Sequence, residues 1–293
     1  MPEVRNSVAF SHRKVRTPPI QGRGIIYAIS CRESNEREKT KSRSGNDRTG
    51  TPRAQRAQGN GPMSAHLAKA FEDEISRLKS MVTEMGNLTI DQLDTVLKAA
   101  EQHDSDLAAR VIQREPEADR LEHQIDNLAV RLLALRQPVA IDLRHALSGM
   151  RIATELERIC DHAENLAQRL LALSSVETGL LRSVINLGRF ASTMVKDAIV
   201  AYTEANTSHA QDVWNRDKEL DEMYTSLFRE LLTYMVEDPR RISGATQMLF
   251  MARDIERIGD RATNIAEAVL YLVRGVPVEE ERQKADTTKS LVL

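Results

Sequence analysis

The residues best placed to do chemistry are carboxylates spaced four apart. Glu157 and Asp161 form one such pair, and Glu256 and Asp260 form a second. Two further pairs, Glu115/Asp119 and Asp217/Asp221, lie upstream of these. On a helix, positions i and i+4 sit on one face, so each pair presents two carboxylates side by side. Asn165 and Asn264 extend the two later pairs to i+8. Like charges at this spacing cost a few tenths of a kcal/mol (~0.3) each. Carboxylate oxygens are ligands for hard cations such as Mg, Mn, Ca or iron. The bland alternative is a solvated acidic face with Arg158, Arg257 and Arg261 as ion-pair partners. By helical-wheel count the later stripes lie opposite the apolar seam, and are expected to face out of their own bundle.

These pairs need helices to carry them, and the pattern is helical almost throughout from Leu67 onward. Expected helices are Leu67–Glu101, Ser105–Leu135, one opened by Gln137-Pro138, Thr178–Glu204, His209–Val236 and Pro239–Val273. His103-Asp104-Ser105-Asp106 reads as a turn and N-cap. Pro116 falls inside the second helix and predicts a kink or a start there. The third helix carries the seam Ile152, Leu156, Ile159, Ala163, Leu166, Leu170, and the sixth Met251, Ile255, Ile258, Ala262, Ile265, Val269.

The halves match. An offset of 102 carries Val111 onto Val213, Glu115 onto Asp217 and Asp119 onto Asp221; an offset of 99 carries Glu157 onto Glu256 and Asp161 onto Asp260. A period near 100 residues is a duplicated domain, not a short-repeat solenoid. The fold class is therefore all-α: two tandem pseudo-symmetric three-helix bundles, residues 63–175 and 176–293, after an extension over 1–62.

Composition agrees. Hydrophobic residues make up 41% of the 293 and aromatics only 4%, so the core must be aliphatic, as in helix packing. No 18-residue apolar run predicts a membrane span. Cys31 and Cys160 have no paired spacing, which excludes a disulfide framework and fits a reducing, cytoplasmic setting. Cys160 reads as buried and inert. The net charge of −2 conceals a split: residues 1–62 hold thirteen bases and five acids, and the remainder is net −10. An acidic folded part argues against nucleic-acid binding. Residues 1–62 lack helical period and read as a disordered basic extension, or as sequence upstream of a true start at Met63.

Arg136-Gln137-Pro138, Asp142-Leu143-Arg144 and Glu155-Leu156-Glu157-Arg158-Ile159-Cys160-Asp161 resemble the first repeat of the PhoU family. Tyr234-Met235-Val236-Glu237-Asp238-Pro239-Arg240 and Ile255-Glu256-Arg257-Ile258-Gly259-Asp260-Arg261 resemble the second. The resemblance implies a cytoplasmic negative regulator of the phosphate-starvation response, coupling the ATPase of a phosphate ABC transporter to a sensor histidine kinase. It implies a homodimer that reaches the membrane only through its partners and has no catalysis of its own. It also implies divalent or iron-type metal ions held by Glu157, Asp161, Glu256 and Asp260, with Glu115, Asp119, Asp217 and Asp221 from neighbouring helices. Cys160 replaces the Gly259 of the second repeat, which predicts a narrower first site.

The rival reading is a carboxylate-rich helical metal or di-iron protein outside phosphate signalling. Di-iron chemistry wants Glu-x-x-His on two helices. Only Asp142-x-x-His145 approaches it, unrepeated in the second half. His145 and His162 read as surface or capping residues. No Gly-rich phosphate loop supports nucleotide hydrolysis.

Overall fold

The computed structural model describes residues 62–173 and 178–278; the extension and its proposed start fall outside these, apart from Pro62 and Met63. The described residues form six helices: α1 (Pro62–Gln102), α2 (Ser105–Arg136), α3 (Ile141–Ala172), α4 (Thr178–Glu204), α5 (Thr207–Glu237) and α6 (Ile242–Arg274). Helices α1–α3 pack as one triangle and α4–α6 as another. The triangles join along two seams, α3 on α6 and α1 on α4, leaving α2 and α5 outermost.

The connections show the duplication at atomic level. Asp104 caps α2, accepting from the N–H groups of Asp106 and Leu107 at 2.9 and 3.0 Å. Asn206, 102 residues on, caps α5 in the same way, accepting from Ser208 and His209 at 2.9 and 3.2 Å. The residues before them, His103 and Ala205, both take left-handed backbone (φ 52° and 50°) to end α1 and α4.

The second connections differ, which corrects one expectation. Asp238 accepts from the Arg240 N–H at 3.0 Å and caps a 3₁₀ turn, Pro239–Arg241, that leads into α6. Gln137 has no such carboxylate. The chain instead turns left-handed at Gln137 and Ala140 (φ 46° and 50°), and α3 starts only at Ile141. Pro138 therefore sits in the linker. Pro116 neither starts nor ends a helix, because α2 is one element from Ser105 to Arg136.

The core is aliphatic as composition requires, with Leu78, Met85, Ile125, Leu132, Ile152, Leu156 and Ile159 fully buried in the first half. Both seams are antiparallel. Along α3 and α6, Arg144 reaches Leu272, Ser148 reaches Ala268, and His162 reaches Asp254. Along α1 and α4, a Cβ on Gly86 would stand 2.8 Å from Ile199, and one on Gly188 would stand 2.4 Å from Leu97. The offset of 102 carries Gly86 onto Gly188 and Leu97 onto Ile199. Each half thus supplies a missing side chain and a branched side chain that fills the other's gap. The halves are related by a pseudo-two-fold axis.

Candidate functional site

In the first half the predicted carboxylates are gathered between α2 and α3. Glu115, Asp119, Glu157 and Asp161 are all partly buried. Burial pushes the Glu157 carboxyl up to about 7, with repulsion from Asp161, Glu122 and Asp119 adding to it. Burial also raises Asp161, with Asp119 the leading like charge, and raises Glu115, with Asp119, Glu164 and Asp161 behind it. Glu122, Glu164 and Asp126 belong to the same acidic field; Asp126 is raised by burial and then by Glu122. Glu122 and Asp126 are themselves spaced four apart and continue the α2 stripe beyond Asp119; Glu164 stands three residues after Asp161, outside that spacing.

In the second half the equivalent residues go deeper. Asp217 and Asp221 on α5 are buried, as is Glu256 on α6; Asp260 is partly buried. The Thr263 hydroxyl donates to Asp217 at 3.1 Å and also to the Gly259 carbonyl at 3.0 Å, tying α5 to α6 at this level. Arg253 pairs with Glu256 at 3.6 Å.

The expectation that the stripes face out of their own bundle is corrected. They face the neighbouring helix: α3 turns its acids to α2, and α6 turns its acids to α5. The wheel count placed them opposite the seam but could not show that α2 and α5 flank that side. Single-helix periodicity carries no information on which third helix covers a flank.

Cys160 is buried, its Sγ 3.3 Å from the Thr89 hydroxyl of α1, and burial pushes its thiol up to about 12, with Glu157, Asp161 and Glu115 adding to it. Its counterpart Gly259 is a glycine for a specific reason: a Cβ there would stand 1.9 Å from Leu220. The residue equivalent to Leu220 is Ala118. One half pairs a large residue with none, and the other a small residue with Cys, at similar total volume.

The histidines are also corrected. His162 is neither a surface nor a capping residue: its Nδ1 lies 3.2 Å from the buried Asp254 across the α3–α6 seam. His145 is half-buried, and burial lowers it. Among the described residues no group of three or more His, Cys, Asp or Glu side chains converges closely enough to hold a metal ion with these side-chain positions. No described helix is long and apolar enough to cross a membrane.

A tandem pair of three-helix units with acids turned to the outer helices is matched by one family profile, the PhoU domain, over residues 82–170 and again over 184–269. The chain belongs to the PhoU family. A PhoU homolog of Caulobacter vibrioides, named as a phosphate-specific transport system accessory protein, is 40% identical over 226 residues, 76% of this chain and 98% of the relative. PhoU of Escherichia coli K12, named likewise, is 37% identical over 214 residues, 73% of this chain and 89% of its own length. The crystal structure of PhoU from Pseudomonas aeruginosa is similar with a TM-score of 0.67 at 37% identity, covering 70% of this chain and all of that one. A phosphate transport system regulatory protein PhoU from Streptococcus pneumoniae gives 0.66 at 27% identity, over 72% of this chain and all of that one. PhoU-type relatives therefore account for the helical region, and the duplicated acids fall inside both PhoU matches.

Proposed function

We propose that this chain is a cytoplasmic accessory of a phosphate transporter that represses the phosphate-starvation response by contact, without catalysing a reaction. Its partners would be the transporter's ATPase and a membrane sensor histidine kinase, and its working form a homodimer. The observation that carries the reading is the double PhoU match, together with relatives matched over nearly their whole length that are named as phosphate-specific transport accessory proteins.

The acidic pairs add a metal to this reading. The donor set fits a hard cation: it is all carboxylate oxygen, and burial, with mutual repulsion behind it, already raises Glu115, Glu157 and Asp161. Glu115, Asp119, Glu157 and Asp161 would hold an ion in the first half, and Asp217, Asp221, Glu256 and Asp260 in the second. In the first half a bound cation would supply positive charge where carboxylates now repel one another, stapling α2 to α3; in the second it would join α5 to α6.

The test of function is complementation. Residues 63–293 are expressed in a bacterium lacking its own PhoU, grown in ample phosphate, with a starvation-response reporter. Repression is expected, and its failure sinks the assignment. Metal is tested separately by elemental analysis and by melting with and without chelator, comparing wild type with Glu256→Ala plus Asp260→Ala. A metal-free protein whose melting ignores both chelator and substitution removes the metal from the reading.

A further inference from the structure

The α1–α4 seam carries a ladder of charged pairs that runs out at one end. Lys196 bonds Asp94 at 2.8 Å, and seven residues earlier along α4 Arg189 bonds Glu101 at 2.7 Å. A further seven residues earlier stands Arg182. Because the helices are antiparallel, its partner should come from α1 about two turns beyond Glu101. But α1 ends at Gln102. Arg182 is exposed and makes no ion pair with any described residue.

A cavity of about 540 Å³ opens at this point. Leu181 and Ile185 form an apolar floor; Arg182, Asn186, Arg189 and His103 stand around it, with Glu101, whose carboxylate Arg189 holds at 2.7 Å. Arg182, Asn186 and Arg189 share one α4 stripe by their spacing of four and three. The cavity thus offers two guanidiniums, Arg189 paired with Glu101 and Arg182 without an ion pair among the described residues, together with an amide and an imidazole, all able to donate hydrogen bonds.

The duplication supplies an internal control. The offset of 102 carries Arg182 back to Ser80, Asn186 to Glu84 and Arg189 to Asn87, and carries His103 forward to Ala205. The other end of the seam therefore has none of these cations. A charged ladder needed only to hold the halves together would serve equally well on both sides of the axis. The cations have instead collected at one end, around a cavity.

We propose that this cavity binds a phosphate-bearing anion. Arginine guanidiniums match the oxygens of a phosphate group in a fork geometry, with charge-assisted hydrogen bonds. The volume exceeds what orthophosphate needs and falls in the range of small-molecule sites, about 300–1,000 Å³. The apolar floor suits a ligand with an organic or extended part, so the phosphate group can arrive on a nucleotide or on a phosphate chain. The inference stands on the cavity and survives if the adaptor reading fails.

The test is ³¹P NMR line broadening and titration with the full chain, using orthophosphate, pyrophosphate and ATP in turn, with chloride matching ionic strength. Saturable binding of at least one is expected, weakened about tenfold or more by Arg182→Ala and only partly by Arg182→Lys. Arg257→Ala, an exposed arginine on α6, should leave binding unchanged. Which probe binds tells free phosphate from nucleotide or polyphosphate. No saturable binding of any probe overturns the proposal, as does binding that Arg182→Ala leaves intact or that Arg257→Ala weakens equally. Arg182 is solvent-exposed, and circular dichroism checks that its variants fold.

Discussion

Glu155 on α3 and Asp254 on α6 occupy the same place in the two repeats, and each is held by the opposite repeat. Glu155 accepts from Arg261 at 3.4 Å and from Asn264 at 3.2 Å. Asp254 is bonded by His162 at 3.2 Å and by Arg169 at 3.1 Å. Both carboxylates are buried. Arg261 is the offset-99 counterpart of His162, whereas Asn264 corresponds to Asn165 and not to Arg169, so the clasp is made twice with both partners changed.

Asp254→Ala should destabilise the fold. It removes the shared acceptor of His162 and Arg169 and strands a partly buried guanidinium. Breaking a fully buried pair costs about 3–5 kcal/mol; Arg169 keeps some solvent contact, so about 2 kcal/mol is expected. Urea denaturation reads it, and a loss below about 0.5 kcal/mol, the usual size of an ordinary surface change, contradicts the clasp.

Gly259 and Leu220 should show strong coupling. Gly259→Cys alone drives a side chain into Leu220 and should cost about 1–3 kcal/mol. Leu220→Ala alone leaves a void and should cost about 2–4 kcal/mol. Together they rebuild the Cys160/Ala118 arrangement of the first half. The double variant should be more stable than the sum of the singles predicts, by about 1 kcal/mol or more. Strict additivity would refute the volume exchange.

Without metal, stability should fall as pH rises through neutrality. An unfolded Glu157 releases its proton at its ordinary value, 4.5, while the folded carboxyl keeps it up to about 7. Between those values the folded state binds more protons. Its advantage is therefore complete below 4.5 and lost as pH passes 7. Glu115 and Asp161 shift in the same direction. Glu157→Gln should flatten this slope and gain about 1 kcal/mol at pH 8 in chelator, after discounting for solvent screening. Melting curves across pH 4–8 decide it, and a variant no more stable than wild type at pH 8 counts against the buried acid.

Cys160 should resist alkylation in the folded protein. Its thiol is buried and its ionisation is pushed up to about 12, so thiolate is scarce at neutral pH. Iodoacetamide followed by peptide mapping, which separates Cys160 from Cys31, should show labelling of Cys160 only in denaturant. Rapid native labelling would mean that α3 opens from α1.

The helices, their order and the duplication were legible because period and offset are local properties of a sequence. So was the cap at Asp104, whose side chain acts within three residues. The start of α3 was misread because Pro138 resembles Pro239, while the absence of a capping acid at Gln137 decides the outcome. The acidic pairs were visible as pairs, but not their burial: Asp217 is hidden against Thr263 of α6, 46 residues away. The clasp of Glu155 with Arg261 lay in the same short stretches as the acids. It went unseen because it needs the antiparallel register of α3 on α6, which neither helix encodes alone.

That register has a consequence for how the two copies have aged. Two identical halves meeting across a two-fold axis are the geometry of a symmetric dimer, in which any substitution appears at both sides of the interface at once. Joining the copies in one chain makes their meeting intramolecular, at an effective concentration on the order of millimolar, so they stay together at any dilution. It also lets each side of the axis change alone. His162 can stand against Arg261, Cys160 against Gly259, and Arg182 against Ser80, without either half having to accept its own mutation twice.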